Sequence, residues 1–183
     1  MIKTYLSTFA MVFVLSIGLI SSHTYANSYK TQIKEIAAWD NLKLNTQLSD
    51  VSDNDVKNWT SETITRAMTL GFHDYQRRFD YISPRFNETA WSKYMEWIKS
   101  RHLDDITTLQ MVMQTTVTEL PTIFRKNADS WILTTPITYS LLRGGADKIE
   151  HGASIIIQIQ SGSITEDNPL GLQVVNWAIS AGN

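Results

Sequence analysis

The chain has no cysteine. Structural disulfides, thiolate metal sites and a cysteine nucleophile are therefore excluded. Proline is scarce, at four of 183 residues, and glycine numbers eight. No Pro-rich linker and no low-complexity tract breaks the chain. Neither sign of charge dominates: 16 Lys and Arg stand against 18 Asp and Glu, a formal net charge of −2. A nucleic-acid partner needs a basic face, which this balance does not supply. No apolar run reaches the ~20 residues of a membrane-spanning helix. The catalytic signatures HExxH, Ser-His-Asp in order, paired carboxylates and a Gly-rich phosphate loop are all missing.

What is present is a globular composition, 43% apolar, with six Trp, seven Tyr and six Phe. That supplies large groups for a core without cross-links, and the length suits one domain plus a leader. The leader is Met1–Ala26. Lys3 is its only charged side chain, and Phe9–Ile20 is an apolar run of twelve interrupted by Ser16 alone. This is short for a membrane span and right for a signal-peptide core. Thr24 and Ala26 are small residues at the −3 and −1 positions of a cleavage site. Export with cleavage after Ala26 is expected, leaving a periplasmic protein. The alternative is an uncleaved leader anchoring the chain in the inner membrane.

Residues 27–51 form an N-terminal extension, in which Ser28–Asn41 suggests a short helix and Leu42, Leu44 and Leu48 lie in a polar connector. The main domain spans residues 52–183. Ser52 is a good helix N-cap with Asp55 three residues later, and Val56, Trp59, Thr63, Ile64, Ala67 and Met68 make an apolar stripe. Gly71 ends or bends that helix. Tyr75, Phe79, Tyr81 and Ile82 suggest a second short helix. Asn87 begins another, with Phe86 and Trp91 placed to staple its start. Its buried stripe is Trp91, Tyr94, Met95 and Ile98.

After Leu103 the period changes from 3.6 to 2. Strands are predicted over Leu109–Val117, Thr122–Ala128, Ser130–Leu142, a fourth along Ile149–Ile159, and Gly171–Ile179. The longest is the key one. Trp131, Leu133, Thr135, Ile137, Tyr139 and Leu141 fall at every second position, the mark of a half-buried strand. Pro136 in its middle has no N–H for a ladder, which implies a bulge, a bend or an edge. Helices first and a strand meander second is an α+β order, with helices packed on one face of a strongly curved antiparallel sheet.

Each polar candidate has a plain structural explanation. His23 is in the leader. His73 and Asp74 are sequence neighbours that do not face each other on a helix. His102 with Asp104 and Asp105 could hold a metal, but reads better as helix-end chemistry, with His102 and Arg101 meeting the last carbonyls. His151 falls in phase with strand positions. Gly144-Gly145 is a turn, and Arg77-Arg78 is too small a basic cluster for nucleic acid. The sequons at Asn58 and Asn87 fall in helical segments.

Several of these residues carry a resemblance. Val56-Lys57-Asn58-Trp59, Phe72-His73-Asp74-Tyr75, and Phe86 and Trp91 ahead of a helix resemble the start of the periplasmic domain in the IcmL/DotI family of type IVB secretion systems. Trp131, Pro136 and Tyr139 are similar to that family's W-x4-P-x2-Y strand, and Asn168-Pro169-Leu170-Gly171 to its closing Pro-x-Gly strand. The resemblance covers roughly Val51–Ile179. It implies a nuclear-transport-factor-2-like fold and a scaffold rather than an enzyme. The missing signatures leave no cofactor and no metal to expect, and the partners expected are other secretion-system proteins, with self-association left open. Family members in the secretion core carry a cytoplasmic tail and a true membrane helix; the leader here suggests a soluble periplasmic paralogue, with membrane contact only if the leader is retained.

Two function classes remain open from the residues alone: an assembly or accessory module, and a small-molecule enzyme or ligand-binding protein using the cone of the sheet. The inferred inward positions are Met111, Met113, Trp131, Leu133, Ile137, Tyr139, Ile155, Ile157 and Val174. Of these only Tyr139 titrates, with His151 a marginal addition, which favours the first class. An open meander has free edges. The last strand has neither Pro nor charge to blunt pairing, and its Val175, Trp177 and Ile179 are the candidate partner-binding edge.

Overall fold

The computed structural model describes residues 51–127, 130–144, 149–162, 164–166 and 168–181. The leader, the proposed helix at 28–41 and the connector at 42–50 lie outside the described residues, as do parts of the expected turns at 127–129 and 144–145.

Among the described residues, four helices precede the long strands. α1 (Asp53–Ala67) starts as its capping signal requires: Ser52 Oγ accepts from Asp55 N at 3.1 Å and donates to Asp55 Oδ2 at 2.6 Å. Val56, Trp59, Thr63, Ile64 and Ala67 are buried along one stripe. Carbonyls at its C-terminal end lack intrahelical partners, and the fold supplies them. Tyr94 Oη donates to Ala67 O, and Thr115 Oγ1 to Met68 O, each at 2.6 Å. Gly71 does not end this helix; it falls in a two-residue strand, β1 (Leu70–Gly71).

α2 (Tyr75–Ile82) runs into a single 3-10 turn (Ser83–Arg85). α3 (Glu88–Arg101) is capped by Asn87, whose side chain accepts from Ala90 N at 2.8 Å. The expected staple is present, with the Phe86 and Trp91 rings 5.6 Å apart. A fourth helix, α4 (Leu103–Thr107), occupies a stretch where strand periodicity was expected to take over.

The strands are β2 (Val112–Val117), β3 (Thr122–Lys126), β4 (Ser130–Leu142), β5 (Ile149–Ser161) and β6 (Leu172–Ala181). They form one antiparallel sheet in the order β1-β2-β4-β5-β6, with β3 also on β4. β2 starts at Val112, so Leu109 and Met111 lie outside it, and Leu109 is exposed. β2 pairs with residues 137–142 of β4 and β3 with residues 131–134, so the two short strands share one edge of the long one.

Pro136 sits where that edge changes hands. Its ladder to β5 is unbroken, Pro136 facing Ser154 without a register shift. On its other side, Pro136 O accepts from Thr118 N at 3.1 Å, beyond the end of β2. The carbonyl and the ring nitrogen of one strand residue point the same way. The missing N–H therefore faces the gap between β2 and β3, where no ladder donor is needed. Of the three expected devices, the local edge is the one used.

The core lies between the helices and the inner face of the sheet. Trp131, Leu133, Ile137, Tyr139, Ile155, Ile157, Ile159, Val174 and Trp177 meet Trp59, Ile64, Phe86, Tyr94 and Ile98 there. Trp131 is also held at its rim, its Nε1 donating to Asp53 Oδ1 at 3.2 Å with Lys126 Nζ 5.5 Å from the ring centre. Lys126 in turn reaches Asp53 at 2.7 Å. The hydrogen bond from Lys126, then that from Trp131, holds the Asp53 carboxyl below its usual value.

Candidate functional site

β6 was expected to place Val175, Trp177 and Ile179 on one face. The structure corrects this. Val174 faces Ile159 and Asn176 faces Gln158, with Val175 the extra residue of a bulge. A bulge shifts the phase of every residue beyond it. Val174, Trp177 and Ile179 therefore align with Ile159, Ile157 and Ile155 on the core face, and Val175 does not share it. Trp177 is buried, 5.7 Å from the Phe86 ring and 5.5 Å from the Tyr94 ring. Its ring is a core element. Ile179 is partly buried against the same core.

The backbone of β6 remains an edge. Among the described residues, β5 is its sole ladder partner apart from one bridge at Val174, where Asn87 N donates to Val174 O at 2.8 Å. Lys93 Nζ reaches Asn176 Oδ1 at 2.6 Å beside it. The stretch Trp177–Ile179 lies beyond these ties. At the opposite edge, β3 carries a register shift at Phe124 followed by Arg125 and Lys126, the charges and irregularity that discourage edge pairing.

Titratable groups meet at the other end of the helical layer. His102 is buried, with its ring 4.7 Å from Trp97 and 5.3 Å from Tyr139. Tyr139 stacks on His151 at 5.2 Å. Neither ring nitrogen of His102 has a hydrogen-bond partner. Burial lowers the His102 pKa below 6.5, aided by His151 and Arg101 and opposed by Asp105. Burial likewise raises that of Tyr139, with Arg101 pulling the other way. The expected contact of the His102 ring with helix carbonyls is not made. The residue caps α3 through its backbone, His102 N donating to Ile98 O at 2.9 Å, while the ring turns inward. The missed signal was α4. Ile98, His102 and Ile106 are all buried at four-residue spacing, so the helical stripe continues past Arg101.

A catalytic base needs its proton acceptor aligned and its ring oriented by a partner; His102 has ring packing instead. The other candidates are bound into structure. Asp74 accepts from Arg78 Nε at 2.7 Å and Gly71 N at 3.2 Å. Burial would raise its pKa, but Arg78, His73 and the Gly71 N–H together lower it. Among the described residues no three His, Asp or Glu side chains gather closely enough to hold a metal, and no helix is long and apolar enough to cross a membrane. A groove of about 350 Å³ is lined by α1, Tyr81, Arg85, Glu166, Pro169 and Leu170, and there Glu62 meets Arg66 at 2.9 Å and Arg85 at 3.1 Å.

Comparison with known proteins follows this geometry. Residues 41–180 match the family model for DotI and IcmL, described as a type IVb secretion system inner-membrane complex component. No curated protein matches by sequence. Among solved structures, the periplasmic domain of DotI is similar at a TM-score of 0.64 and 20% identity, over 73% of this chain and 98% of that one. An IcmL-like type IV secretion system protein from Legionella pneumophila gives 0.66 and 14%, over 74% and 96%. A periplasmic fragment of TraM gives 0.64 and 22%, over 73% and 100%. These likenesses establish the fold: helices on a strongly curved antiparallel sheet, shared with periplasmic domains of secretion proteins.

Proposed function

Because the chain belongs to the DotI/IcmL family of type IVb secretion components, we propose that its domain is a non-enzymatic assembly or accessory module acting through protein–protein contacts in the periplasm. Its partners are other components of the secretion system. The observation that carries this reading is the filling of the concave side of the sheet. Trp131, Trp177, Tyr94 and Phe86 are buried where a cone-type enzyme would admit substrate. The contact line proposed is the β6 edge at Trp177–Ile179, used through backbone pairing with Ile179 beside it. Export by the leader places the domain on the periplasmic side, and cleavage after Ala26 makes it a soluble paralogue.

The runner-up, a small-molecule enzyme or binding protein, draws on the His102–Tyr139–His151 cluster. Removing the protein from its cell and following secretion of the system's cargo separates the two. Secretion should fall and return with the wild-type chain and equally with a His102→Phe, Tyr139→Phe chain. Failure of that double variant to restore secretion, while folded, would favour chemistry at the cluster. Unchanged secretion without the protein would remove it from the machine.

A further inference from the structure

β4, β5 and β6 bury apolar side chains on both faces of the sheet. Ile132, Ile156 and Val175 are 3%, 2% and 4% exposed, yet none belongs to the core that joins the helices to the sheet. Ile132 and Ile156 alternate with the core residues Trp131, Leu133, Ile155 and Ile157, and so point to the outer face. A sheet face with no second layer leaves such side chains in contact with water. Gln158 lies between them on this face, opposite Ile132. It is buried, and its Oε1 has no hydrogen-bond partner. A covering segment with backbone N–H groups would meet both needs.

We propose that the segment Leu42–Asp50 of the same chain covers this outer face, seating Leu42, Leu44 and Leu48 over Ile132, Ile156 and Val175. The first argument is where the described chain begins. Val51 packs against the core, and Asp53 is bonded to Trp131 and Lys126. The chain therefore arrives at the end of β4 that holds Ile132. The second is reach. Nine residues extend up to ~30 Å, while rounding the sheet and crossing two strands needs ~20 Å at ~10 Å between packed layers and ~4.8 Å per strand. The third is membership. The family match begins at residue 41, ten residues ahead of Val51. Leu42 and Leu44 alternate around Lys43, so an extended chain presents both to one surface.

The cysteine-free sequence makes the test direct. In the full chain, Ile156→Cys should react with a thiol reagent about 100-fold more slowly than Leu120→Cys at an exposed site, since labelling reports opening of the cover. Adding Leu42→Asp and Leu44→Asp should bring the two rates together while circular dichroism stays unchanged. Pairing Ile156→Cys with a cysteine at position 42, 44 or 48 should give a disulfide within one chain from at least one pair. Labelling of Ile156→Cys as fast as Leu120→Cys would overturn the proposal. So would protection that survives the Asp substitutions together with no intrachain link. Disulfides formed only between chains would assign the face to a second copy instead.

Discussion

Trp59 Nε1 donates to Asn168 Oδ1 at 2.9 Å, joining the first helix of the domain to the loop that feeds its last strand. The amide nitrogen of Asn168 donates onward to Leu172 O at 2.8 Å. Gly171, at φ +57°, closes the turn by donating its N–H to Asn168 O at 3.0 Å. The Trp of the opening motif and the Asn of the closing one are thus a single contact. Asn168→Ala should cost about 1–3 kcal/mol, because a buried donor loses its acceptor. Denaturant melts measure it; a change under about 0.3 kcal/mol would mean the contact contributes nothing net.

Trp131→Ala should cost about 3–5 kcal/mol, as large-to-small changes in packed cores do. The ring is buried, and its Nε1 bond to Asp53 anchors α1 to β4. A loss below about 1 kcal/mol in the same melts would place Trp131 outside the core.

His102 supplies a pH dependence. The unfolded ring takes up a proton near 6.5, whereas the folded ring, held neutral by burial, does so only at lower pH. The unfolded state therefore binds more protons in that window, and stability falls as pH drops below about 6.5 toward the folded value. His102→Phe keeps a ring against Trp97 and Tyr139 and should flatten the fall in melting temperature between pH 7.5 and pH 5. Parallel curves for the two proteins would contradict this.

Export predicts a mature chain beginning at Asn27. Intact mass of the protein recovered from periplasm checks it. A full-length species that pellets with membranes would instead mean a retained anchor.

Elements with an uninterrupted period were legible in the sequence. The Ser52 and Asn87 caps, the Phe86–Trp91 staple and the alternation of β4 from Leu133 to Tyr139 each depend on residues a few positions apart, and all are present, whereas Ser130–Leu133 are buried on both faces. The features missed depend on context. The bulge at Val175 leaves no trace in a strand apolar at most positions, because its phase shift moves one hydrophobic residue for another. The helix Leu103–Thr107 is too short to show a period of its own. Pro136 announced an irregularity, but which one depended on two strands ending beside it. The face of the last strand was the least legible: the bulge turns Trp177 into the core and Val175 away from it.

Binding of secretion-system proteins along the β6 edge is the role proposed for this domain. Its most direct test is co-purification of those proteins with the wild-type chain and with Ile179→Lys, matched for melting temperature, from the cell's solubilised envelope. Secretion components should accompany the wild type and fall at least about fivefold in the variant, since a charge on an edge strand discourages pairing. Secretion components absent from the wild-type sample, or present equally with Ile179→Lys, would contradict it.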